Sequence, residues 1–122
     1  MNPIIFHSTF RIRDGRLDAF KDAVARAVAF VEENGPQLLV QTTVDDEAMK
    51  AHSIQVYPDS AAIRMHWSMS DPYIRAVNET VTPERLDILG EPDDDVLGEL
   101  QPFASHGVVL TVTQHLAGFS RM

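Results

Sequence analysis

Cysteine is absent from the 122-residue chain, which excludes disulfides, thiolate metal sites and a cysteine nucleophile. Basic residues are scarce: ten Lys and Arg stand against eighteen Asp and Glu, a net charge of −8. Nucleic acid and anionic membranes need clustered cations to displace counterions, so neither is an expected partner. No apolar run is long enough to span a bilayer, and no basic-then-apolar leader opens the sequence, so a cytoplasmic protein is expected. Walker loop, dinucleotide fingerprint and nucleophile elbow are missing, which argues against nucleotide cofactors and serine hydrolysis. No two histidines share a helical turn and no His-x-His occurs, so no metal site is expected, although His7, His52 and His115 could meet on neighbouring strands. Repeats, low-complexity tracts and linkers are lacking too. A chain of this length buries one core, and a single domain over residues 1–122 is expected.

What is present reads as alternating strands and helices. Ile4, Phe6, Ser8, Phe10 and Ile12 share one face of a period-two strand, with Ile5, His7, Thr9, Arg11 and Arg13 on the other. Asp14-Gly15 ends it, and Asp14 is placed to cap the next helix. In that helix Leu17, Phe20, Val24, Ala27, Val28 and Val31 make one apolar stripe, and Asn34-Gly35-Pro36 stops it, with Gly35 as a left-handed cap. Strands are expected near Gln37–Val44 and His52–Tyr57, joined as a hairpin by the polar Asp45–Lys50 connection. Asp59-Ser60 starts a helix running to about Met69. Ser70-Asp71-Pro72 predicts a break, then a helix with Ile74, Val77 and Val81 on one face. Thr82-Pro83 reads as a further short helical turn with Leu86 and Leu89 inward, closed by Gly90. Pro92-Asp93-Asp94-Asp95 opens another helix, packing by Leu97, Leu100 and Phe103 at the sheet edge or pocket mouth. Val108–His115 is the expected last strand.

This order suits an α+β, ferredoxin-like βαββαβ plan with an antiparallel sheet, the first and last strands in its middle and helices on one face. The other face, carrying Ile5, Thr9, Leu39, Thr43, Val109 and Thr111, is too apolar to be left solvated, and a second copy covering it predicts a homodimer.

The chain resembles the antibiotic biosynthesis monooxygenase-like group of the dimeric α+β barrel superfamily. The resemblance runs from Ile4 to about Phe119. It rests on the strand opening into Asp14-Gly15-Arg16-Leu17-Asp18-Ala19-Phe20, and on Val56-Tyr57-Pro58-Asp59-Ser60-Ala61-Ala62-Ile63-Arg64-Met65-His66-Trp67, with its strand end, acidic turn and helix bearing a late His. It implies a dimeric α+β barrel. The group's chemistry spans monooxygenases, heme degraders and an isomerase, so fold alone does not set activity. Heme degraders of the superfamily carry a Trp at the position of Trp67, followed by Ser-Asp as in Ser70-Asp71. On that alignment Ser8 falls where their pocket Asn lies and Val77 where their iron-binding His lies. Valine cannot ligate iron, so the likeness to them is one of fold and no cofactor is expected.

On a helix Ile63, His66, Trp67 and Ser70 share a face. Trp67 is positioned to stack on a flat aromatic substrate and His66 to exchange a proton near neutral pH. Ser8 shares a strand face with Phe6 and Phe10 and could line the same cavity, and Tyr73 and Asn78 are further polar substrate-binding candidates on the helix after the break. The expected function is a cofactor-independent monooxygenase acting on a small aromatic or polyketide-like compound, with His66 as acid/base. The alternatives are a non-catalytic module of the same fold that binds a small ligand or dimerises, or a proton-shifting isomerase using the same histidine.

Overall fold

The structure is a computed structural model that describes residues 2–122. Its elements run β1 (Ile4–Ile12), α1 (Leu17–Asn34), β2 (Leu39–Asp45), β3 (Lys50–Tyr57), α2 (Ser60–Met69), α3 (Asp71–Asn78), β4 (Val81–Leu89), α4 (Asp94–Ser105) and β5 (Val109–Thr113). The sheet order is β2-β3-β1-β4-β5, antiparallel throughout except for the parallel β4–β5 pair. This is a ferredoxin-like α+β sheet of the type that builds dimeric α+β barrels, extended by one edge strand.

Two strand expectations are corrected. Val81–Leu89 is a strand, not a helical turn, so Val81 leaves the α3 face and joins β4. Thr82-Pro83 resembles a helix start, but the β1–β4 register slips between Thr9 and Phe10, opposite Pro83 and Arg85. A proline, with no N–H to give, is tolerated at such an irregularity. Beyond it, Leu86 and Ile88 alternate inward and Leu89 points away, 44% exposed. The second correction follows from the first. Residues 109–113 form a fifth strand, reached from β4 by the α4 crossover, and β1 rather than the first-and-last pair sits at the centre.

Two helix ends also differ. Gly15, at φ 74°, turns the chain so that Arg16 donates to the Arg13 carbonyl at 3.0 Å. The helix therefore starts at Leu17 with Arg16 as N-cap and no side-chain cap, which leaves Asp14 outside it. Gly35 is extended (φ −82°, ψ 160°), not left-handed. Glycine is needed there for closeness, because a Cβ would lie 2.5 Å from Gln37 Oε1 and 2.9 Å from Val31 Cβ. The other signals hold. Asp59 accepts from Ala62 N at 2.8 Å, and Asp93 from Val96 N at 3.0 Å. The helical segment does break at Ser70, which ends α2 and precedes α3 with its Pro72. In the hairpin, Met49 at φ 53° and the Ala48 N–H bonded to Asp45 Oδ1 close the turn.

The core lies between helices and sheet. Ile4, Phe6, Tyr57, Ile63, Ile88, Val96 and Leu100 form one cluster, and Ile12, Phe20, Ala51 and Val81 a second. Along β1 the inward residues Ile4, Phe6 and Ile12 are buried, whereas Ser8 and Phe10 between them are only half-buried. That interruption marks a hollow above the middle of the sheet. Among the described residues, no helix is long and apolar enough to cross a membrane.

Candidate functional site

A cavity of about 300 Å³ opens over Ser8 and Phe10, walled by α2, α3, β3 and β4, with Glu99, Leu100 and Phe103 of α4 at its edge. His66, Trp67, Ser8 and Asn78 all line it, so four of the five residues singled out in the sequence come together. Tyr73 is set apart from Trp67 and Ser8, though not from His66 and Asn78. It faces a second, adjoining chamber of about 130 Å³ and stacks on Phe30, ring centroids 4.5 Å apart. The reason lies in the break at Ser70, which starts α3 on a new axis and carries Tyr73 toward α1.

His66 is the best-defined group of the site. It is 7% exposed, and its Nδ1 lies 2.9 Å from the Oγ of the wholly buried Ser70. A hydroxyl can accept from an Nδ1–H or donate to a bare nitrogen, so Ser70 serves either neutral tautomer and leaves Nε2 for a ligand. Burial pushes the imidazole pKa down to about 4 from its ordinary 6.5, so the ring is neutral at physiological pH.

A stability prediction follows. Above about pH 6.5 folded and unfolded chains both hold a neutral ring. As the pH falls from there toward 4, the unfolded chain takes up a proton that the folded one refuses, so stability is lost on acidification. The loss is up to about 3 kcal/mol, less to the extent that cavity water solvates the ring. Urea unfolding of wild type and His66→Gln at pH 7 and pH 4.5 checks this. The variant should lose less stability between the two values, and equal losses would refute the assignment.

Trp67 is half-buried against Phe6, centroids 6.5 Å apart, and borders the cavity instead of filling it. Phe6 in turn meets Tyr57 edge-on at 5.3 Å. Burial raises the Tyr57 phenol well above its ordinary pKa, keeping it a neutral donor. Its hydroxyl gives to Gln55 Oε1 at 2.8 Å, which also accepts from Gln37 Nε2 at 3.0 Å. Gln55 and Tyr57 line the cavity and were missed in the sequence. The alternation of Ser53, Gln55 and Tyr57 along β3, three polar-tipped residues on the inward face, was the signal available. Asp71 adds charge at the cavity wall.

His7 and His52 do meet, Nε2 to Nδ1 at 3.1 Å, but on the sheet face away from the helices. His115 lies past the end of β5 and outside this pair. Among the described residues no group of three or more His, Cys, Asp or Glu is arranged to hold a metal. On the same outer face the Asp87 carboxyl is held well below the usual range, first by Arg85 and then by Thr111.

Fold and hollow together define a ferredoxin-like α+β domain of the dimeric α+β barrel type, with a ligand-sized cavity between helices and sheet. Solved structures match it, among them proteins named as candidate antibiotic biosynthesis monooxygenases. MupZ from Pseudomonas fluorescens superposes with a TM-score of 0.76 at 17% identity, covering 99% of this chain and 96% of its own, so the likeness extends through α4 and β5. SnoaB from Streptomyces nogalater, a cofactor-independent oxygenase, gives 0.63 at 19% identity over 76% of this chain and 96% of its own. A Caulobacter crescentus protein named as a candidate antibiotic biosynthesis monooxygenase gives 0.65 at 18% identity over 75% and 91%. No family model matches the sequence, and no curated protein does either.

Proposed function

We propose that this chain is a cofactor-independent monooxygenase for a small, electron-rich aromatic or polyketide-like compound. The observation that carries the reading is the open 300 Å³ cavity in which buried, neutral His66 stands beside Trp67, Ser8 and Asn78 where a filled core would otherwise lie. The fold shared with SnoaB supports it.

The chemistry asks little of the protein. A ring CH₂ flanked by carbonyl and aryl groups gives a proton to His66 Nε2 while Nδ1–H is held by Ser70. Burial disfavours the imidazolium in the empty cavity, but a carbanion within about 4–6 Å raises the ring's pKa, so the proton moves only with substrate in place. The carbanion passes electrons to dioxygen and a C–O bond forms. The imidazolium returns its proton to the peroxide, which loses water and leaves a carbonyl. One oxygen atom stays on carbon, the other departs as water, and the substrate supplies all the electrons. Trp67 and Phe6 hold the ring flat, and exclusion of water protects the carbanion.

Oxygen-electrode assays with anthrone-like, quinol and phenol substrates test this reading. Substrate-dependent oxygen uptake without added metal or flavin is expected. Binding without uptake would leave a ligand-binding protein instead.

The reading includes a homodimer closed over the outer sheet face. The register sets Ile5, Val56 and Leu39 in one row and His7, Ile54 and Gln41 in the next, while Leu89 and Val109 are exposed. Light scattering at micromolar concentration should give twice the chain mass, and Ile54→Lys should give the monomer. A wild-type monomer would remove this part of the proposal.

A further inference from the structure

The apolar stripe of α1 is not finished off by the sheet. Phe20 and Val31 on it are buried, whereas Val24, Ala27 and Val28 between them stay half-buried. The helix packs on α3, and beneath its middle lies the 130 Å³ chamber, roofed by Val24, Val28 and Val31 and floored by Thr42, Ser53 and Gln55. Apolar groups facing unfilled space forgo the dispersion contacts that a close-packed neighbour would supply. This chamber meets the Trp67 cavity along a common wall of Phe10, Gln55, His66, Ile74 and Asn78. The two chambers lie side by side, with these five residues between them. They differ in polarity: Asp71 and Glu99 border the larger space, while no Asp, Glu, Lys or Arg lines the smaller.

We infer that the natural ligand has two parts, a flat ring system against Trp67 and a short uncharged apolar arm that passes His66 and Asn78 into the chamber under α1. The inference rests on the ring seat proposed above and narrows its substrate class. An apolar cavity of about 150 Å³ holds benzene, so the smaller chamber limits the arm to roughly one ring or a butyl chain. Thr42, Ser53 and Gln55 give its floor hydrogen-bonding capacity without charge, which tolerates a carbonyl or hydroxyl on the arm and rejects a carboxylate.

Trp67 is the sole tryptophan, so its fluorescence reports on the cavity directly. Quenching titrations would use 2-methyl-1,4-naphthoquinone and its 3-butyl derivative, to which the cysteine-free chain offers no thiol. In wild type the butyl probe should bind about tenfold tighter or better, as expected for burying an alkyl chain. Val28→Phe fills the chamber from its roof and should bring the two probes within about twofold, with the parent quinone's Kd unchanged. Thr42→Leu fills it from the floor and serves if Val28→Phe fails to fold. Equal affinities in wild type, a butyl advantage surviving in a folded plugged variant, or equal loss of both probes there would each overturn the inference. Oxygen plays no part in the readout. A protein that shows the expected binding pattern yet never consumes oxygen therefore defeats the oxygenase reading alone.

Discussion

Replacing His66 by Ala should lower oxygen-dependent turnover by about 100-fold or more while the fold persists, the range expected for loss of a positioned proton-transfer group. The imidazole borders both chambers, and its partner Ser70 holds one ring nitrogen in place. Ser70→Ala keeps the ring but loosens it. It should lower kcat by less than His66→Ala and leave the affinity for an unreactive quinone unchanged. The pH profile adds an independent readout. Because burial keeps the empty-site ring neutral down to about pH 4, kcat/KM should show no inflection from His66 between about pH 5 and 8. Near-wild-type turnover in His66→Ala would remove the histidine from the mechanism. A histidine inflection near pH 6.5 that disappears with the variant would instead mean that the ring is hydrated.

Ile88→Ala should destabilise the protein by about 2–5 kcal/mol, the usual cost of emptying a filled core position. Ile88 is fully buried on β4, opposite Phe6 in the register and within the same cluster as Ile63 and Val96. Leu89→Ala, one residue on, trims an exposed side chain and should cost the isolated chain well under 1 kcal/mol. Urea denaturation of the two variants separates period two from period three. Were residues 82–89 helical with Leu86 and Leu89 inward, the order of the two effects would reverse.

That same segment shows where the sequence was legible. Elements whose periodicity ran long, β1 and α1, could be read almost to the residue, and so could starts marked by a capping carboxylate, at Asp59 and Asp93. β4 was opaque because Leu86 and Leu89 stand three apart and Pro83 imitates a helix start, while its true partner, β1, lies some seventy residues earlier in the chain. Strand identity there is a tertiary fact that no local window contains. The site divides the same way. His66 and Trp67 could be placed from helix geometry, since neighbours on one turn share a face. Ser8 followed from strand alternation. Gln55 and Tyr57 were overlooked although they alternate with Ser53 on one strand face, because such a polar face reads as a site only once the space above it is known to be hollow. The change of axis at Ser70 puts Tyr73 in the chamber under α1 beside His66 and Asn78, and that break could be foreseen without its direction.

The five-stranded sheet has one more consequence. β1 to β4 already make a complete ferredoxin-like unit, and everything after Gly90 is an appendix tied down by Val96 and Leu100. Those two anchors must stay apolar. Glu99 and Phe103 beside them touch the cavity rim and bear little of the core. Natural variation can therefore accumulate on this rim without disturbing the central strands, and lineages sharing the scaffold can diverge in what they admit. For an engineer the same division makes α4 the place to randomise when a new substrate is wanted, since a poor choice there spoils selectivity before it spoils folding.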